Sequence, residues 1–171
     1  PAVELDLVDI GGTSLKDALE NGLIDIGFGC CPENAEVTWI PLFDDQLMAV
    51  APTNMKIGES FPLREFHEKS FIALPDSYDS EVHNLFMTNG IIPDVKFTST
   101  DDYTIISMVE QGLGISILPE MVLQGYQHCN IQIVPLEPAC KRKLGIVLPA
   151  GREKSPAARR FISCAKNTSL S

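Results

Sequence analysis

Between Asp101 and Pro119 the sequence leaves little freedom of local structure. Asp101 or Asp102 can cap a helix, because a carboxylate accepts the backbone N–H groups that a helix start leaves free. Ile105, Ile106 and Val109 then fall on one helical face. Gly112 closes that helix, and Gly114 to Leu118 reads as a strand stopped by Pro119. A helix handed to a strand through so short a turn belongs to an α/β chain.

The same alternation runs through the rest of the sequence. Val3 to Val8 alternates apolar and polar residues with period two, which predicts a strand. Gly11-Gly12 breaks it, and Thr13 or Ser14 can cap a helix carrying Leu15, Ala18 and Leu19 inward. Asn21-Gly22 ends that helix, and Leu23 to Phe28 reads as a short, mostly buried strand. This strand–helix–strand unit predicts parallel pairing with a right-handed crossover. Trp39 to Ala51 is an apolar run around Asp44-Asp45-Gln46, followed by a turn-rich connection from Pro52 to Pro62.

A second series follows. Leu63 to Glu68 is a short helix, and Phe71 to Leu74 is a strand. Asp79 or Ser80 caps a helix with Val82, Leu85 and Phe86 inward and Gly90 as its stop. Val95-Lys96-Phe97 is a strand, and Ile131 to Leu136 and Leu144 to Leu148 are two more. Ser155-Pro156 starts a last helix with Ala158, Phe161, Ile162 and Ala165 inward. The class is α/β with a mainly parallel sheet, or two such sheets.

Composition narrows the function. With 171 residues, 44% hydrophobic and 21% charged, the chain can bury a core without disulfide staples. No run reaches the roughly 18 apolar residues of a membrane span. No basic leader followed by an apolar run is visible, and the opening Pro1-Ala2-Val3 suggests that an upstream segment has been removed. Cys30, Cys31, Cys129, Cys140 and Cys164 are odd in number and lack C-x-x-C spacing, so they read as reduced thiols of a cytoplasmic protein. With His67, His83 and His128 scattered, no metal or cofactor motif emerges. Residues 1–140 hold 5 basic and 22 acidic side chains, and residues 141–171 hold 8 and 1, giving −17 and +7 within a total of −10. The basic end, with Lys141-Arg142-Lys143 and Arg159-Arg160, reads as a solvated face, and so acidic a chain binds DNA poorly by itself.

Ligands in open α/β sheets sit beyond the carboxyl ends of strands. The candidate loops are therefore Gly11 to Ser14, Gly29 to Cys31, Pro75 to Ser80 and Thr98 to Asp102. Asp44-Asp45 could suggest paired carboxylates for acid–base chemistry, but neighbours on a strand point to opposite faces and do not converge.

The stretch Thr104 to Pro119, with its V-x-x-G-x-G passage into a strand ending Leu118-Pro119, resembles the signature of LysR-type transcriptional regulators. Three further stretches agree in order and spacing: Val3 to Gly27, Pro41 to Val50, and Asn84 to Pro93. The resemblance implies the effector-binding domain of such a regulator. It implies a fold like the type 2 periplasmic binding proteins: two Rossmann-like α/β lobes joined by two crossing strands. Lobe one (regulatory subdomain I) is then about 1–49 and 134–171, and lobe two (regulatory subdomain II) about 50–133. A small molecule, such as a small organic acid or polar metabolite, would bind in the cleft between lobes and change oligomer geometry.

The family pattern also implies a homodimer or tetramer, with lobe one of each chain against lobe two of its partner. DNA would be bound only through an N-terminal helix-turn-helix absent from this sequence. The domain's first strand is absent too, so either the chain is a fragment or another element completes the sheet.

On this reading Gly12 and Thr13 offer helix N-terminal donors, and Cys30 and Cys31 follow the next strand. Ser77 and Tyr78 precede a helix of lobe two, and Thr100 and Asp101 cap the next. Some relatives with aromatic-acid effectors place an Arg where Cys30 stands, so a strongly anionic effector is less favoured here. Cys30-Cys31 as a redox switch would need a resolving thiol that adjacency does not provide. A solute-binding protein of a transporter shares the fold and is the competing reading. An enzyme on this architecture lacks a convergent nucleophile, base or metal set.

Overall fold

The computed structural model describes residues 3–8, 15–30, 37–75, 80–151 and 154–168. The chain forms two compact units: Pro1–Asp44 with Lys143–Ser171, and Asp45–Arg142. The chain therefore crosses between them twice, once on each of two long strands.

In unit 1, helix α1 (Leu15–Glu20) buries Ala18 and Leu19. Its end follows from Asn21-Gly22: Gly22 takes φ 69°, and the Leu23 N–H returns to the Ala18 carbonyl at 2.9 Å. Strand β1 (Gly27–Cys30) pairs antiparallel with the end of the long strand β7 (Ile131–Pro149), Cys30 opposite Leu144. Helix α5 (Pro156–Thr168) starts where the Ser155 hydroxyl accepts the Ala158 N–H at 3.1 Å. Its Ile162 and Ala165 meet Ile146, Leu148, Ile26, Ile40 and Leu42.

Unit 2 is built on the unit 2 part of β2 (Val37–Pro52) and of β7. Strand β6 (Ser116–Pro119) pairs antiparallel with Leu47–Val50 of β2, and β3 (Phe61–Pro62) pairs parallel with Leu136 and Glu137 of β7. A 3-10 turn at Leu63–Phe66 leads to β4 (Ser70–Ala73), which pairs parallel with β5 (Asp94–Thr98). Helix α2 (Ser80–Thr88) runs between them, and α3 (Asp102–Glu110) and the short α4 (Glu120–Leu123) flank β6. Phe61, Phe66, Phe71 and Phe86 form one aromatic core, with ring centroids between 4.7 and 5.8 Å apart in the contacting pairs. Ile72, Ile105, Ile106, Val109, Leu118 and Val50 form a second core.

Five expectations fail. Leu23 to Phe28 is not a buried strand: β1 starts only at Gly27, and Leu23 and Phe28 are 70% and 54% exposed. Nor is the main sheet mainly parallel: β1 with β7 and β2 with β6 run antiparallel, and parallel pairing among the described strands is confined to β3–β7 and β4–β5. Val3–Val8 is no strand: its residues are exposed, Leu7 by 90%, and have no ladder partner among the described residues. Alternation supplies a face, but a strand also needs a second backbone to bond to. The parallel crossover predicted there is therefore not formed, and β1 pairs antiparallel instead. The two strands expected at Ile131 to Leu136 and Leu144 to Leu148 are one strand, β7. Lys141 and Lys143 do not break it, because they point outward while Cys140, Arg142 and Leu144 turn inward.

Candidate functional site

Five of the eight sequence-derived candidates, Gly12, Thr13, Cys31, Ser77 and Tyr78, lie outside the described residues. So do the expected caps Ser14 and Asp79. Cys30 ends β1 in unit 1, half-buried. Thr100 and Asp101 stand together in unit 2, both exposed, in the turn from β5 into α3.

Asp101 is the N-cap of α3. Its Oδ2 accepts the Thr104 N–H at 2.8 Å and the Thr104 hydroxyl at 2.5 Å. The hydroxyl bond first, then the backbone bond, holds this carboxyl below the usual carboxylate range. The Asp101 N–H in turn donates to the Ser99 hydroxyl at 3.1 Å, and the Ser99 N–H reaches the Ala73 carbonyl at the end of β4. The turn is thus tied to β4 and has a defined shape.

Asp102, the first residue of α3, behaves oppositely. Burial pushes its carboxyl up, the Asp101 charge adds to this, and the Arg142 guanidinium opposes it. This end of unit 2 therefore carries two carboxyls of unlike acidity beside one guanidinium.

That guanidinium is the residue the sequence did not single out. Arg142 belongs to the basic stretch read as a solvated face, yet its side chain is 20% exposed and paired. Its Nε and Nη2 donate to Asp45 Oδ2 at 3.0 and 2.9 Å. Asp45 Oδ1 accepts the Met121 N–H at 3.1 Å, in the first turn of α4. Asp44 points to solvent while Asp45 is buried, so the two carboxylates do diverge as the strand period requires. The one sequence clue was an acidic residue inside an apolar run, which cannot reveal a partner 97 residues away.

Unit 2 also holds an apolar cavity of about 200 Å³ between α2 and the β4–β5 pair, lined by Phe71, Val82, Phe86, Met87, Ile92 and Val95 among others. Among the described residues no group of three or more His, Cys, Asp or Glu could hold a metal ion. Cys129, Cys140 and Cys164 are in no disulfide, and burial raises the Cys140 thiol. No helix among the described residues is long and apolar enough to cross a membrane.

Residues 1–169 match the family model described as the LysR substrate binding domain. The chain is 32% identical over 154 residues to the uncharacterized HTH-type transcriptional regulator YybE of Bacillus subtilis (strain 168), covering 86% of this chain and 52% of that protein. It is 27% identical over 164 residues to the malonate utilization transcriptional regulator of Klebsiella pneumoniae, covering 90% and 53%. The chain thus spans about half the length of these relatives. Among solved structures, the CcmR regulatory domain of Synechocystis PCC6803 in complex with 2-PG superposes with a TM-score of 0.82, at 18% identity over 91% of this chain and 78% of that one. The effector binding domain of QuiR in complex with shikimate gives 0.81, at 22% identity over 92% and 79%. The fold is the periplasmic-binding-protein-like α/β fold of LysR regulatory domains.

Proposed function

Since the chain belongs to the LysR family of transcriptional regulators, as its ligand-sensing substrate-binding domain, we propose that it reports a small organic acid or polar metabolite to a DNA-binding segment elsewhere in the whole protein. The match over residues 1–169 carries this reading. Lobe one is assigned to about 1–49 with 134–171, and lobe two to about 50–133. Effector contacts are assigned to Gly12, Thr13, Cys30, Cys31, Ser77, Tyr78, Thr100 and Asp101. The domain binds its effector without turning it over, and the protein works in the cytoplasm. Effector binding stabilises one arrangement of the oligomer over another by its difference in affinity.

Self-association through unit 2 is supported by the exposure of Met87, Ile92, Val95 and Phe97 around α2 and the edge strand β5. An exposed apolar set on an edge strand is a surface that associates. The exposed Val3, Leu5, Leu7 and Val8 of unit 1 are a matching apolar segment, as a lobe-one-to-lobe-two dimer requires.

Two measurements test the reading. The coding sequence upstream of Pro1 is expected to encode a helix-turn-helix, and a secretory leader there would instead make this a solute-binding protein. Thermal unfolding of the chain with malonate, shikimate or 2-PG is expected to show stabilisation by at least one acid of this type. No stabilisation by any of them would remove the organic-acid class.

A further inference from the structure

The cavity between α2 and the β4–β5 pair lies wholly within unit 2, and none of the residues assigned to the effector lines it. Its inner wall reaches the core: Phe71, Phe86, Ile91 and Ile117 are 3%, 6%, 7% and 1% exposed. Met87, Ile92 and Val95 form its rim and are exposed. The space is therefore a hole leading inward from the surface, not a flat apolar face. Packing keeps it open. The Phe71 and Phe86 rings meet edge-on at 5.2 Å, and each also packs on Phe66, so neither can swing across the void. Ala73 adds only a methyl group to the wall.

The backbone around the mouth offers a guest almost nothing polar. At the end of α2 the Leu85, Phe86 and Met87 carbonyls accept the N–H groups of Asn89, Ile91 and Gly90. The Ile92 N–H donates to His67 Nδ1 at 3.2 Å, and the Ile92 carbonyl accepts the Glu68 N–H at 3.0 Å. His83 is the one side chain among the described lining residues that carries a nitrogen or oxygen.

We propose that this cavity binds a small, uncharged aromatic molecule, at a site separate from that of the organic-acid effector. An apolar void of about 150 Å³ takes up benzene, so about 200 Å³ fits a single ring with one or two further carbons. A ring there packs against Phe71, Phe86 and Met87, and ring–ring and sulfur–ring contacts favour an aromatic guest over an aliphatic one of equal size. A charged group is disfavoured, because the wall has almost nothing to replace the water it would shed. The site needs neither effector nor DNA, so it stands or falls independently of the regulator reading.

The test is methyl NMR on the chain, with toluene as the probe and phenylacetate as its charged counterpart. Saturable toluene binding is expected, with NOEs from its ring to the Val82, Ile91 and Ile117 methyls and none to Ile105 or Ile146, which sit in other cores. Phenylacetate is expected to bind there at least tenfold more weakly. Val82→Phe, which fills the void from α2, is expected to weaken toluene at least tenfold. Should that variant fail to fold, Ala73→Leu, at the half-buried end of β4, fills the void from the other side and carries the same expectation. Absence of saturable NOEs at the three methyls, equal binding of phenylacetate there, or a filled variant that binds toluene as the wild type does would each overturn the site. So would NOEs from a second copy to the Ile91 and Ile117 methyls in a mixed-label sample, since the cavity would then hold a side chain of the partner.

Discussion

Gly114 approaches Ser70 so closely that a β-carbon built on it would lie 2.7 Å from the Ser70 carbonyl oxygen. The neighbouring Ile115 N–H donates to that same carbonyl at 3.0 Å, and Ile72 N–H returns to the Ile115 carbonyl at 2.9 Å. The second glycine of the V-x-x-G-x-G passage thus lets the start of β6 meet β4 backbone to backbone. The first, Gly112, has open space around it but takes φ +75°. The two glycines are required for different reasons: one for contact, the other for conformation.

Gly114→Ala is therefore expected to force β4 and β6 apart and to lower unfolding free energy by about 1–3 kcal/mol, the usual range for overpacking. Gly112→Ala meets no neighbour and is expected to lose about 1–2 kcal/mol from left-handed strain alone. Urea unfolding measures both. A Gly114→Ala variant as stable as the wild type would show that the strands separate freely.

Removing one partner of a buried ion pair costs about 3–5 kcal/mol, because the other charge is stranded. Asp45→Ala is expected to fall in that range and Arg142→Ala near its lower end, since Arg142 is the more exposed partner. The double variant should recover part of the sum. Simple additivity in the double-mutant cycle would mean that the two groups do not stabilise each other.

Asp101 and Asp102 should give opposite pH trends. Asp101 has a lowered carboxyl, so its stabilising contribution is present above the ordinary value of 3.8 and is lost as pH falls through the folded value. Asp102 has a raised carboxyl, so the native state holds that proton longer, and a penalty sets in as pH rises through the folded value. Asp101→Asn should thus lose ground to the wild type as pH rises from acid, and Asp102→Asn should gain. Urea midpoints across the acid range check both signs. Parallel trends would contradict the assignment.

Charge placed on the apolar surface around β5 should oppose self-association. Val95→Glu with Met87→Glu is expected to weaken any dimer at least tenfold in sedimentation, while leaving unfolding free energy nearly unchanged because both side chains are already exposed. An unchanged association constant would place the interface elsewhere.

Tyr78→Ala is expected to weaken binding of whichever organic acid stabilises the chain, without lowering stability in its absence. Calorimetric titration with that acid decides it, and equal affinity would remove Tyr78 from the site.

Helices α1, α2, α3 and α5 were legible in the sequence because their determinants lie within a few residues, whereas α4 was not. Asp101 caps α3 through Thr104, Ile105, Ile106 and Val109 share the buried face, and Gly112 closes the helix. The hydroxyl of Ser155 starts α5, and Gly22 ends α1. Each depends on a capping bond or a 3.6-residue period, both local properties. The signature around Gly112 and Gly114 was legible for the same reason and led to the family.

Partnership between distant segments was not legible. Val3–Val8 has a strand's alternation and no ladder, and Ile131–Pro149 continues through three basic residues because its neighbours accept the inward one. Asp45 and Arg142 read as ordinary polar residues until the fold brought them to 2.9 Å. The sequence alone determined where α3 and α5 begin and where α1 and α3 end. Tertiary structure decided which strands pair and which charges are buried, because backbone pairing and desolvation are set by groups far apart in the chain.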